Sequence, residues 1–243
     1  MASMRVTLLL VLVLGLAVQG FARKGKDHDR HRRRSHWERS KYCPEDRDCP
    51  QFRLEKKYDE YSIRTFRSAR WAVTEEMDEK YEIAYLKATA RLRMYLDGHN
   101  DEHDSLKHTT PVVAHMRVNR DSATTQKNYT FAMYLPDRYQ GRHGHRAPAP
   151  LDPSIQIAKW ERDTLFVRPF PGFATEATIL NQMNEFVDVL EDDKRDYEEE
   201  SVWVAVYHPP TRLWDRHNEI LMEASPRKHR CAKRISTLAD GSS

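Results

Sequence analysis

The chain has 243 residues, 32% of them charged, yet its formal net charge is only +3. That balance argues against a dedicated nucleic-acid binder, and the charged fraction predicts a heavily solvated surface around one domain. Beyond the first residues, no stretch is apolar enough to span a membrane.

Met1–Arg5 carries one positive charge, and Thr7–Val18 is a short apolar run. Gly20-Phe21-Ala22 then places small residues where a signal peptidase cuts, so residues 1–22 read as a secretory signal peptide and the mature protein as secreted and extracellular. Residues 23–48 read as a basic arm. Between positions 23 and 42 there are nine Lys or Arg against three Asp or Glu, with almost no aliphatic residues, so the arm is expected to be disordered. Its Arg30-His31-Arg32-Arg33-Arg34 cluster suits sulfated glycans or anionic surfaces, or a basic-directed convertase, and a purely solubilising tail remains the plain alternative.

Three cysteines, Cys43, Cys49 and Cys231, are an odd number for a secreted chain, and each of the three pairings leaves one thiol over. Cys49 with Cys231 would tie the domain ends together, whereas Cys43 with Cys49 closes a small terminal loop. The domain itself is expected over 49–226, followed by a flexible tail over 227–243. Asn128-Tyr129-Thr130 is a glycosylation sequon at the start of a predicted strand.

Along the domain, Tyr58–Phe66 and Ala69–Glu76 alternate as strands. A helix follows over Tyr81–Asp97, where Ala84, Ala88, Leu92, Tyr95 and Leu96 share one face and Gly98 suits a left-handed cap. Val112–Val118 and Tyr129–Leu135 read as two more strands. Gln140–Pro153 is an aperiodic, histidine- and proline-rich linker.

The second half repeats that order, with strands at Ile155–Trp160 and Thr164–Phe170, a helix at Ala174–Leu190, and strands at Ser201–Tyr207 and Asn218–Ala224. Trp71 to Phe166 spans 95 residues, Tyr81 to Ala174 spans 93, and Phe131 to Ile220 spans 89. So constant an offset implies a strand-strand-helix-strand-strand unit used twice, over about 55–136 and 154–225. The expected fold is α+β: two pseudo-symmetric repeats forming a distorted, mostly antiparallel β-barrel or curved sheet with two main helices.

Several segments in this order resemble the SOUL haem-binding family. They are Tyr61-Ser-Ile-Arg-Thr-Phe, Ala69-Arg-Trp-Ala-Val-Thr, the frame Tyr95-x-x-Gly98-x-Asn100 with Thr109-Thr110-Pro111-Val112 after it, Leu165–Phe173, and Arg216-His217-Asn218-Glu219. The resemblance covers roughly Cys49–Ala224. It implies haem or a related tetrapyrrole held, without chemistry, in a shallow cleft beside the first helix. Carried onto this chain, the cofactor-binding residues are Tyr85, Thr89, Arg93, Leu96 and His108.

Three of these depart from the family pattern. Thr89 and Arg93 stand where apolar or aromatic residues are usual, and His108 replaces a methionine. His108 is either an axial iron ligand or, more simply, a loop-end histidine hydrogen-bonded to backbone. No metal site is expected otherwise, because no Cys-x-x-Cys or His-x-x-His completes a ligand set. No Gly-rich phosphate loop, Gly-x-Ser-x-Gly or His-Glu-x-x-His occurs, so no enzyme is expected. Two readings stand: a secreted haem-binding protein, and a secreted interaction protein on the same scaffold that has lost haem and acts through its basic arm or surface.

Overall fold

The computed structural model describes residues 36–119 and 124–225. The signal peptide, the Arg30–Arg34 cluster, Cys231 and the C-terminal tail lie outside the described residues.

Nine strands form one sheet: β1 (Phe52–Lys57), β2 (Ser62–Phe66), β3 (Ala69–Met77), β4 (Val112–Asn119), β5 (Thr124–Tyr134), β6 (Ile155–Trp160), β7 (Asp163–Pro171), β8 (Ser201–Val206) and β9 (His217–Glu223). Two helices, α1 (Tyr81–Leu96) and α2 (Glu176–Asp192), follow β3 and β7. Every described strand pairing is antiparallel. The expected α+β fold, curved sheet and two helices are present. β1 is the addition: its outer positions are charged and its exposed edge carries no strict alternation, so periodicity alone does not mark it.

The strand order is β1-β2-β7-β9-β8-β4-β5-β3-β6. Leaving out β1 and exchanging the halves turns this order into its own reverse, which is the expected two-fold repeat. The first strand of each half is nevertheless traded to the other. β2 pairs with β7 from Ser62↔Val167 to Phe66↔Asp163, and β6 pairs with β3 from Ala69↔Trp160 to Thr74↔Ile155.

Alternation along the strands sends one set of side chains to each face. Ala114, Met116, Phe131, Val202, Val204, Ile220 and Met222 meet the helices, including Leu92 and Tyr95 of α1 and Ile179 and Phe186 of α2. Trp71, Val113, Ala132, Tyr134, Ala205 and Leu221 form a second apolar cluster on the opposite face. A sheet apolar on both faces must be covered or curled on both, and here the curl encloses the face that the helices leave bare.

The arm expected to be unfolded through residue 48 is held against the sheet from His36 on. Glu38 bridges to Phe52, and the Tyr42 ring stacks on His217 at 3.4 Å. Asp48 is buried, where it takes hydrogen bonds from Lys107 and from the Asp137 amide. Of the three open pairings, Cys43–Cys49 is the disulfide, with Cα atoms 6.1 Å apart. These anchors, Tyr42 and Asp48, lie at and beyond the end of the 23–42 charge run on which the disorder reading rested.

Candidate functional site

The frame Tyr95-x-x-Gly98-x-Asn100 is a helix terminus with its loop. Gly98 takes φ +108°, its amide bonds the Tyr95 carbonyl, and the His99 amide bonds that of Met94. This is the paired closure of a left-handed cap. Asn100, fully buried, donates through Nδ2 to the carbonyls of Tyr95 and Asp104 and accepts from the Asp104 amide. Tyr95 Oη donates to the Pro148 carbonyl, fastening the linker to the same loop. The motif therefore fixes the end of α1 and the entry to β4.

The buried arc of α1 is wider than its periodicity implies. Besides Ala84, Ala88, Leu92, Tyr95 and Leu96, it includes Thr89, at 6% exposure. The segment Tyr207–Pro209 lines a crevice together with Tyr85, Arg93 and Leu96, which the chain pattern of α1 alone does not reveal. Thr89 turns its hydroxyl back to the Tyr85 and Leu86 carbonyls. Tyr85, Arg93, Leu96 and His108 do come together, but in a crevice of only about 20 Å³. That is room on the scale of a single water.

Electrostatics in the crevice are modest. Burial pushes the Tyr85 hydroxyl up to about 12, against the nearby Arg93 and Arg216. His108 Nε2 lies 2.8 Å from Asp97 Oδ1, so its partner is a carboxylate rather than backbone.

The surface next to the crevice has a different character. Ile83, Leu86 and Met94 are exposed by 41%, 52% and 56%, and Ala90 between them is exposed too. Their spacings of three, four and four make a second apolar stripe, on the face of α1 turned away from the core. That spacing was present in the sequence, hidden because the inward stripe accounts for the helix without it. Lys87 is tied to Asp78 at 2.8 Å, whereas Arg93 has no carboxylate partner among the described residues. On the loop between β8 and β9, Leu213 and Trp214 are 65% and 74% exposed, and Arg216 lies over the Phe173 ring at 4.4 Å.

The residues fit an open macrocycle platform and not an enclosed pocket. A tetrapyrrole needs a broad apolar surface with cations at its edge; Leu86, Ala90 and Met94 offer the former and Arg93 the latter. Among the described residues, no group of three or more His, Cys, Asp or Glu is arranged to hold a metal ion. No helix among them is long and apolar enough to cross a membrane.

Comparison with known proteins agrees with the signature segments. The chain is 26% identical over 160 residues to "Heme-binding protein 2" of Homo sapiens, covering 66% of this chain and 76% of that protein. It is 28% identical over 160 residues to "Heme-binding protein 1" of Mus musculus, covering 66% and 82%. Among solved structures, the EcmrR C-terminal domain superposes with a TM-score of 0.49 at 11% identity, covering 68% of this chain and 96% of that one. An uncharacterized conserved protein from Listeria innocua gives 0.46 at 9% identity, covering 68% and 92%. The model of the family described as SOUL heme-binding protein matches residues 47–223, and the chain belongs to that family.

Proposed function

We propose that this protein is a secreted, non-enzymatic carrier of haem or a related tetrapyrrole, and that the macrocycle lies on the outward face of α1. The observation that carries the reading is the exposed stripe Ile83, Leu86, Ala90, Met94 beside Arg93, which has no carboxylate partner among the described residues. Leaving three large apolar side chains in water on one helix face is unfavourable unless a ligand covers them. Leu86 and Met94 would support the ring, Arg93 would face a propionate, and the Leu213–Trp214 loop would flank it. The crevice residues Tyr85 and Leu96 would set the helix in place beneath, with His108 at its C-terminal end. When bound, the conjugated macrocycle would supply the Soret absorbance by which occupancy is read.

Secretion is supported by the leader-like N-terminus and by the Cys43–Cys49 disulfide, since such bonds persist mainly in oxidising compartments. Asn128 lies exposed on β5, as a glycan acceptor requires.

One preparation tests these points: protein collected from the medium of secreting cells, titrated with hemin and treated with an endoglycosidase. A saturable Soret change is expected, weakened about tenfold or more by Leu86→Glu, Met94→Glu or Arg93→Glu, which all alter exposed side chains. The endoglycosidase should lower the mass of the wild type but not of Asn128→Gln. No saturable Soret change, or an affinity indifferent to all three substitutions, would leave the alternative: an interaction protein acting through its basic arm. Retention on heparin that vanishes when residues 23–35 are deleted would then support it.

A further inference from the structure

Across the sheet from both helices, the curled inner face encloses a cavity of about 460 Å³. Small-molecule sites typically run from about 300 to 1,000 Å³, so this concavity is of ligand size where the α1 crevice is not. Val113, Ala205 and Leu221 form its floor. Its walls are three indoles from three strands. Trp71 stacks on Trp160 at 4.7 Å between centroids, and Trp160 meets Trp203 edge-on at 5.1 Å. Folding has already ordered these rings, so a ligand meets a rigid aromatic wall.

Charge decides what such a wall would hold. Lys159 at the rim is paired with Glu161 at 2.5 Å. Arg162 and Arg67 sit over the Trp37 ring, 5.3 and 6.0 Å from its centroid. Glu219 is matched by Arg64 at 2.9 Å. Glu223 is different: its carboxylate accepts a hydrogen bond from Trp203 Nε1 at 2.8 Å and has no ion pair among the described residues. The cavity therefore combines indole faces, which attract cations most strongly of the aromatic side chains, with a carboxylate that has no ion pair among the described residues.

We propose that this cavity is a second ligand site, distinct from the α1 face, that takes a compact planar aromatic cation, with its ring among Trp71, Trp160 and Trp203 and its charge toward Glu223. The site is independent of the haem reading and can fail or stand without it.

The probes are 10-methylacridinium and its anionic counterpart acridine-9-carboxylate, titrated into the full mature chain with dye and tryptophan fluorescence as readouts. Saturable binding of the cation is expected, with the anion about tenfold weaker or more. Glu223→Gln, which can still accept from Trp203, should weaken the cation roughly fivefold and strengthen the anion. Lys159→Gln, which frees Glu161 at the rim, should strengthen the cation. Leu86→Glu and Met94→Glu should leave both dyes unaffected while weakening hemin. No saturable binding, equal affinity for the two dyes, or a cation affinity unmoved by both Glu223→Gln and Lys159→Gln would overturn the proposal.

Discussion

At the residue scale, His115 on β4 illustrates how the inner face handles a titratable group. Its ring lies 4.3 Å from that of Trp203, and Nε2 is 2.7 Å from Ser201 Oγ. Burial, helped by the nearby Arg117, pulls its pKa down from 6.5 to about 4. A histidine that stays neutral in the fold but protonates freely when unfolded stabilises the protein fully above the unfolded value. That contribution is lost as pH falls from 6.5 toward 4, over which the linkage amounts to about 2–3 kcal/mol. Thermal unfolding followed by circular dichroism should show the melting temperature falling through this window. In His115→Gln the fall should be visibly shallower, and an identical pH profile in the variant would refute the assignment. Glu219 is the companion case: burial would raise its carboxyl, but hydrogen bonding from His217 and the Arg64 charge hold it below the ordinary range. Local sequence reveals neither environment, because each is built partly from residues distant in the chain: Ser201, 86 positions from His115, and Arg64, 155 positions from Glu219.

At the element scale, α1 shows both what its sequence declares and what it conceals. The inward stripe and the terminus were legible, since a helical spacing and a glycine at the right place follow from backbone geometry alone. The cost of removing that glycine can be reasoned out. A Cβ at Gly98 would come no nearer than 3.5 Å to the His103 carbonyl oxygen, so space is available. The penalty is instead conformational, because φ of +108° is a region that L-residues rarely adopt. Gly98→Ala is expected to destabilise the protein by about 1–2 kcal/mol in urea unfolding, with an unchanged slope against denaturant. A variant as stable as the wild type would show that the cap contributes nothing. That Thr89 is buried while Arg93 stays exposed was not legible from α1 alone, and the segment Tyr207–Pro209 that lines the crevice beside Arg93 belongs to the other half of the chain. Propensity and period speak for one element at a time.

At the scale of the whole molecule, the repeat was legible from offsets between elements, but the exchange of strands between its halves was not. The offsets say that two units exist, and they are silent on whether β2 lies beside its own half or the other. Here β2 completes the second half through β7, and β6 completes the first through β3, so neither half holds all the strands that flank its helix. Separating the halves would expose the edges of β3 and β7 and open both apolar clusters to water. The linker around Arg142 and His143 is exposed, and cutting it removes no strand pairing. A protease site inserted between those two residues should therefore be cleavable without dissociation. The nicked protein is expected to elute as a single species at the size of the intact chain and to unfold in one transition. Its melting temperature should now depend on concentration, as for any two-chain complex. Halves that part on gel filtration in the absence of denaturant, or that melt separately, would show the exchanged strands to be a minor part of what holds this fold together.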